Sequence, residues 1–465
     1  MKPVLLVLAL AAALGCASSR GTARPHAARL AVPIEYHKLD NGLRVVLSPD
    51  RSVPKVAVGV YYGIGFRVEP RDRTGFAHLF EHMMFQGSRN LGKMEFIKLV
   101  QSNGGTLNGS TRFDFTNYYE VVPSNVLETV LWAEADRMRG LAVTQENLDN
   151  QKGVVSNEVK VNVLNRPYGG FPWLDLPQVA NDNWYNAHNF YGDLADIQAA
   201  TLPDVQKFFE TYYAPNDAVV ALAGDFDPKE ALGWVKRHFA DIRPVPQPPR
   251  PDLSEPRQER ERRAEKLDPL AERPALAVAW HAPPRSTPEH AAFVLLDQMI
   301  LQGRDSALYQ KLVQEKGLTG DVSGGVNLLG NSWNYDGPML EIAYLFHDTD
   351  RSADELLRAV DEALAPYLEK PVDPETLARA KVKARSTLYS EMEQFAGFGL
   401  VDLLAAQALF HDDPARVNRI EEDLEAVTPA LVLQTAREWL RPTNRTVFLV
   451  KPKEQKDPKE QRRAP

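Results

Sequence analysis

The sequence predicts two copies of one α+β domain in tandem, and three observations carry that expectation. The chain has 465 residues, more than one core accommodates and right for two at roughly 150–200 residues per domain. Strand-like alternation is interleaved with helical periodicity along its length. The order of those segments then recurs after a connector rich in proline and charge. Apolar residues make up 44%, charged residues 25% and aromatics 9%, a globular composition that excludes a disordered or fibrous chain. A net charge of −8, with no Lys/Arg stripe interleaved with aromatics, excludes a general nucleic-acid binder. The single cysteine excludes a disulfide scaffold and a Cys-rich metal site.

That cysteine closes a leader. Lys2 precedes an apolar run from Val4 to Leu14 that ends in Gly15-Cys16. The run is too short to span a bilayer and matches the central region of a secretory signal. A small residue followed by Cys16 looks like a lipobox, although Ala13 stands where Leu is usual. The expectation is a signal over 1–16, lipidation of Cys16, and export to the periplasm as a lipoprotein. Ala17, in place of Asp, favours the outer membrane. No other stretch approaches about 18 apolar residues, so a lipid anchor is the one membrane contact expected.

The N-terminal domain is expected over 31–243. Its opening, IEYHKLDNGLRVVLSPD, alternates about an Asp40-Asn41-Gly42 hairpin turn. A second strand follows over 53–65, then helices over 74–85 and 93–105, a strand run over 110–123, and a long helix within NVLETVLWAEADRMRGL. Residues 244–266 form the Pro- and charge-rich linker. A homologous C-terminal domain follows over 267–452, and 453–465 is a solvated, disordered tail. The repeat rests on three pairs. RPALAVAW (273–280) echoes VPKVAVGV (53–60), AFVLLDQMILQG (292–303) lies over FAHLFEHMMFQG (76–87) at an offset of 216, and 425–450 resembles 199–224. This alignment sets Val294, Asp297 and Gln298 against His78, Glu81 and His82. The scaffold helix therefore does not need histidines to pack, as expected if they serve chemistry.

On a helix His78 and His82 share a face at i, i+4, with Glu81 on the same side. Two neutral imidazoles at that spacing suit Zn²⁺, which in a catalytic site takes one more protein ligand and keeps one position open. A carboxylate just outside the ligands takes a proton from water and delivers it to a leaving amine. His-x-x-Glu-His is the inverted form of the common zinc-helix motif. Spacing leaves the third ligand open among Glu134, Asp136 and Glu158.

HLFEH (78–82), followed 76 residues on by Glu158 in NQKGVVSNEVK, resembles the pitrilysin/insulinase family of zinc metallopeptidases, the inverzincins. NGGTLNGSTRFDFTNYYEVVP (103–123), NRPYG (165–169) and YYAPNDAVVALAGDFDP (212–228) are similar to other landmarks of that family. The resemblance implies one Zn²⁺ per chain on His78, His82 and Glu158, with Glu81 as general base. It implies that each domain is a mixed, largely antiparallel sheet covered by helices, the two forming half of a clamshell whose second domain is non-catalytic. It implies an endopeptidase acting on oligopeptides or unfolded segments. The peptide is held as an added strand along Thr106–Ser110, where Asn108 engages the peptide backbone and Gly109 replaces the commoner Ala.

Two departures stand out. Gln151 occupies a position where many members have a supporting Glu, so tuning is expected rather than loss. Gln314-Glu315-Lys316-Gly317-Leu318-Thr319-Gly320 lacks the Arg and Tyr with which members grip the substrate carbonyl. The expectation is a heterodimer with a homologous subunit that supplies the pair; the alternative is a homodimer using Lys316 or Tyr309. A non-catalytic scaffold subunit is the runner-up function. Metal storage is disfavoured because it gives Glu81 no role.

Overall fold

Near-continuous apolar runs mark strands covered on both faces, and the first sheet is built around two of them. The structure, a computed structural model, describes residues 30–453; Cys16 and the rest of the leader, and the tail from 454, lie outside the described residues. Strands β1 (Glu35–Lys38), β2 (Arg44–Pro49), β3 (Lys55–Tyr62), β4 (Thr106–Thr111), β5 (Thr116–Pro123) and β6 (Ala218–Gly224) form a sheet in the order β1-β2-β6-β3-β5-β4. β2 and β6 run parallel and the other neighbours antiparallel. The second sheet comprises β7 (Arg262–Asp268), β8 (Ala275–His281), β9 (Ser323–Val326), β10 (Leu340–Phe346) and β11 (Arg445–Pro452), in the order β7-β11-β8-β10-β9. Its one parallel pair, β7 with β11, corresponds to β2 with β6 in the first sheet. From β2 onward the two orders are the same, so the repeat read in the sequence is a repeat of topology in a two-domain α+β fold.

Helices α1 (Phe76–Met83), α2 (Glu95–Ser102), α3 (Leu127–Arg139), α4 (Gln145–Val159), α5 (Asp175–Ala180), α6 (Leu202–Tyr212) and α7 (Pro228–Phe239) follow in the first half. The second half carries α8 (Pro288–Ile300), α9 (Ala353–Glu369), α10 (Pro374–His411) and α11 (Pro429–Trp439). Leu79 and Phe80 of α1, Leu131 of α3, Val155 of α4 and Phe208 of α6 join Val58, Val60 and Tyr118 in one buried cluster. Each such side chain contributes about 1.5–3 kcal/mol by leaving water.

Each half lends a helix to the other. The C-terminal part of α10 lies on the first sheet, where Phe398 stacks on Tyr119 at 3.6 Å and Tyr61 donates to Asp402 at 2.7 Å. In return, Phe171 and the α5 residues Leu176 and Ala180 share a cluster with Ala275, Ala277, Ile342 and Phe448 of the second sheet. Gly59 makes the first contact possible, since a Cβ there would stand 2.6 Å from Val401 Cγ1.

The structure corrects two sequence expectations. The run 110–123 is a hairpin rather than one strand, with β4 beginning at Thr106, so Asn108 lies within a strand. The stretch 244–266 is not linker throughout, because β7 opens at Arg262. Its charges mislead: on this edge strand they alternate outward, while Arg262 donates to the carbonyls of Val179 and Ala180 and Lys266 pairs with Asp175. The remainder, 244–261, has no strand or helix but is strapped down. Asn216 brackets Val245 from both sides, and Glu255 accepts from the backbone of Asp182 and Asn183.

α10 is interrupted. Gln394 is extended, and Phe395, Ala396 and Gly397 take φ of 49°, 59° and 99°. Only glycine sits there freely; a left-handed L-residue costs about 1–2 kcal/mol. No helix among the described residues is long and apolar enough to cross a membrane.

Candidate functional site

α1 begins without an N-capping side chain, at Gly75 with φ 80°. The buried carboxylate of Glu69 replaces the cap, accepting from Gly75 N–H at 2.6 Å and Ala77 N–H at 3.0 Å. An anion at a helix N-terminus is favoured by the orphan amides and the dipole. Phe76, Leu79, Phe80 and Met83 anchor the helix in the core. α4, capped by Thr144 accepting from Asn147 N–H, brings Glu158 to the two histidines and runs on into a π turn over Lys160–Leu164. Gln151 and Glu158 share a stripe of α4 at i, i+7.

The three side chains converge. Nε2 of His82 lies 3.3 Å from Nε2 of His78 and 3.2 Å from a Glu158 oxygen, while His78 Nε2 lies 3.6 Å from the other oxygen. Ligands about 2.0–2.1 Å from a tetrahedral ion stand roughly 3.3–3.4 Å apart. The donor set thus fits three corners of a zinc tetrahedron and leaves the fourth open. Among the described residues this is the one group of three His, Cys, Asp or Glu side chains close enough to hold a metal. Glu134 and Asp136 are engaged elsewhere: Glu134 pairs with buried Arg137, and Asp136 accepts from Ser88 and from Asn90.

The electrostatics suit ligation. Burial, with His82 nearby, depresses the His78 imidazole to about 4, against the pull of Glu158, so it is neutral at pH 7, as a ligand must be. Burial raises the Glu158 carboxyl, but His82, His78 and Tyr191 outweigh it and hold it below its ordinary range. Glu81 is the reverse: burial holds its carboxyl above the usual value, opposed chiefly by Thr111. Thr111 Oγ donates to Glu81 Oε2 at 2.8 Å and fixes the carboxylate against β4.

β4 is the last strand of its sheet among the described residues, which leave its outer edge unpaired. Gly109 faces α1, where a Cβ would meet Glu81 Cγ and the Tyr118 ring at 3.2 Å. Exposed Asn108 accepts from Gly109 N–H at 2.9 Å. Gln151 is buried and donates to Asn150 at 2.8 Å, while His78 Nδ1 is buried with no hydrogen-bond partner among the described residues. In the second half Gln314 lies in a π turn over Tyr309–Glu315, and Lys316 pairs with Glu362 at 2.8 Å. Three further residues shape the site from outside the motif: Glu69, Thr111 and Tyr191. Glu69 was signalled only by a helix lacking a cap. Thr111 follows Gly109 by two along the same strand face. Tyr191, which donates to Glu158 at 3.2 Å, had no local signal.

Comparison with known proteins follows the two halves. Residues 44–167 match the family model "Insulinase (Peptidase family M16)", and 199–383 match "Peptidase M16 inactive domain". "Zinc protease PqqE" of Helicobacter pylori is 24% identical over 423 residues, 89% of this chain and 92% of its own. A crystal structure of a protease from Helicobacter pylori superposes with a TM-score of 0.82 at 24% identity, covering 91% of this chain and all of the other. The periplasmic protease PqqL of Escherichia coli superposes with a TM-score of 0.72 at 17% identity, covering 92% of this chain but 48% of the other. With both halves matched by family models, both sheets repeating one topology and the metal-ligand turn in the first, the chain belongs to the peptidase M16 (insulinase) family.

Proposed function

We propose that this chain is the zinc-bearing subunit of an endopeptidase that cleaves oligopeptides or unfolded segments. The observation that carries the reading is the triangle of His78, His82 and Glu158 beside the buried carboxyl of Glu81. Zinc held there supplies Lewis-acid activation of water and of the scissile carbonyl. Glu81, raised by burial and anchored at Oε2 by Thr111, takes a proton and later returns it to the leaving amine. The unpaired edge of β4 binds the peptide backbone as an added strand, with Asn108 beside it. Gln151, buried two turns before Glu158 on α4, stands as a neutral amide on the stripe that carries the ligand.

Gln314 and Gly320 provide no guanidinium or phenol for the substrate carbonyl. We infer a second, homologous subunit that brings them; the alternative is a homodimer using Lys316 or Tyr309. PqqL, whose chain this one covers to 48%, is consistent with a fold that works in pairs of halves. The same gap favours the second reading, a non-catalytic scaffold subunit. The Lys2–Cys16 leader supports an exported lipoprotein, anchored through Cys16 at the outer membrane. The test is cleavage of an unfolded polypeptide by the full chain, alone and with the product of a homologous neighbouring reading frame. Activity that a chelator removes and zinc restores supports the peptidase. Zinc-loaded chain inert in both settings supports the scaffold.

A further inference from the structure

A strand added to β4 presents its side chains alternately to the two faces of the sheet. One face is the metal face, to which Gly109 points. Asn108 and Ser110 lie on the other face, opposite Tyr119 and Asn117 of β5. That second face opens on a cavity of about 350 Å³ between β4, the 328–334 loop and the break in α10, within the size range of small-ligand pockets, about 300–1,000 Å³. Phe395 and Phe398 line it with Tyr119 and Leu328. Phe395 is 65% exposed and stands in left-handed backbone, 6.2 Å from the Tyr119 ring. An exposed aromatic held by strained backbone at the rim of a cavity is not what packing selects, and such outliers gather at ligand sites.

We propose that this cavity is a substrate subsite taking aromatic side chains, those of the bound peptide that point away from the metal. The inference rests on the peptidase reading for the placement of the peptide. Charge does not choose the occupant. The Asp402 carboxylate accepts from Tyr61 and Asn334, and the rest of the lining carries one acid and one base, Glu391 and Arg112. What remains free is ring surface, which a flat apolar side chain covers by stacking. Phe395 is therefore a specificity residue contributed by the second domain to a site whose chemistry lies in the first.

The test uses the full, zinc-loaded chain carrying Glu81→Gln, so that binding is read without turnover. Three fluorescent decapeptides are compared by anisotropy: Phe at every second position, Ala at those positions, and the Phe pattern shifted by one residue within a fixed frame of charged ends. The Phe peptide binds about tenfold tighter than the Ala peptide, as burial of one or two rings allows. Adding Phe395→Ala brings the two within about twofold, and Phe395→Trp restores the gap. Equal affinities for the Phe and Ala peptides, or a gap that Phe395→Ala leaves intact, overturns the subsite. The same peptides given to the wild-type chain, alone and with the product of the homologous neighbouring reading frame, separate the two claims. Phe395-dependent binding without cleavage in either setting sinks the peptidase and keeps the subsite; cleavage indifferent to Phe395 does the opposite.

Discussion

The helices α1 and α8 occupy corresponding places in two sheets of the same strand order, and they differ where chemistry would be. α1 presents His78, Glu81 and His82 toward Glu158; α8 presents Val294, Asp297 and Gln298, all buried. Asp297 accepts from Gln302 at 2.8 Å and from Gln298 at 3.2 Å, and burial pushes its carboxyl up to about 6 beside Glu341, which is raised as well. A buried acid with a raised carboxyl thus occurs in both halves. It is not the mark of a catalytic site. What the second half lacks, among the described residues, is a pair of imidazoles on one helical turn with a carboxylate brought up to them from a second helix.

Three substitutions sharpen that contrast. The largest effect is expected from Glu81→Gln, which lowers peptide turnover by about 10²–10⁴-fold, the usual worth of a general base, while Asp297→Asn leaves turnover within twofold; steady-state cleavage of one fluorogenic peptide checks both. The second effect is on stability. The folded-state value of Asp297, about 6, lies above its ordinary 3.8. Its contribution is therefore fully present below about 3.8 and is lost as pH rises through about 6. Asp297→Asn removes that dependence and raises Tm at pH 7–8 by about 2–4 °C, with little change at pH 4, as thermal melts across pH will read. The smallest effect concerns the break in α10. Ala396→Gly relieves a left-handed φ of 59° and stabilises by up to about 1 kcal/mol, less the entropy glycine adds to the unfolded chain. Denaturant melts check it.

The repeat, the metal turn and most elements around them were legible because each is local or periodic. The i, i+4 histidines state their own geometry, and the Pro-rich stretch after 243 stated a boundary. Glu158 was one of three acids by spacing alone and needed the family pattern to stand out. Tertiary partners supply what was not legible. Arg137 removes Glu134 from contention and Asn90 removes Asp136, yet neither is visible from the acid's own neighbours. β7 reads as linker because its charges suit an edge strand and solvent equally. The exchange of α5 and α10 between sheets leaves no periodic trace, since each is apolar toward whatever covers it. Glu69 acts six residues from the helix it caps, farther than a capping pattern reaches.

The central claim is that two imidazoles of one helical turn and a carboxylate of another helix hold a single zinc. Metal content of the purified chain, measured after dialysis against zinc and then buffer, tests it most directly. The account predicts one zinc per wild-type chain and almost none in His82→Ala or Glu158→Gln variants that melt as cooperatively as the parent. A wild-type chain without zinc, or variants that keep it, would contradict the account.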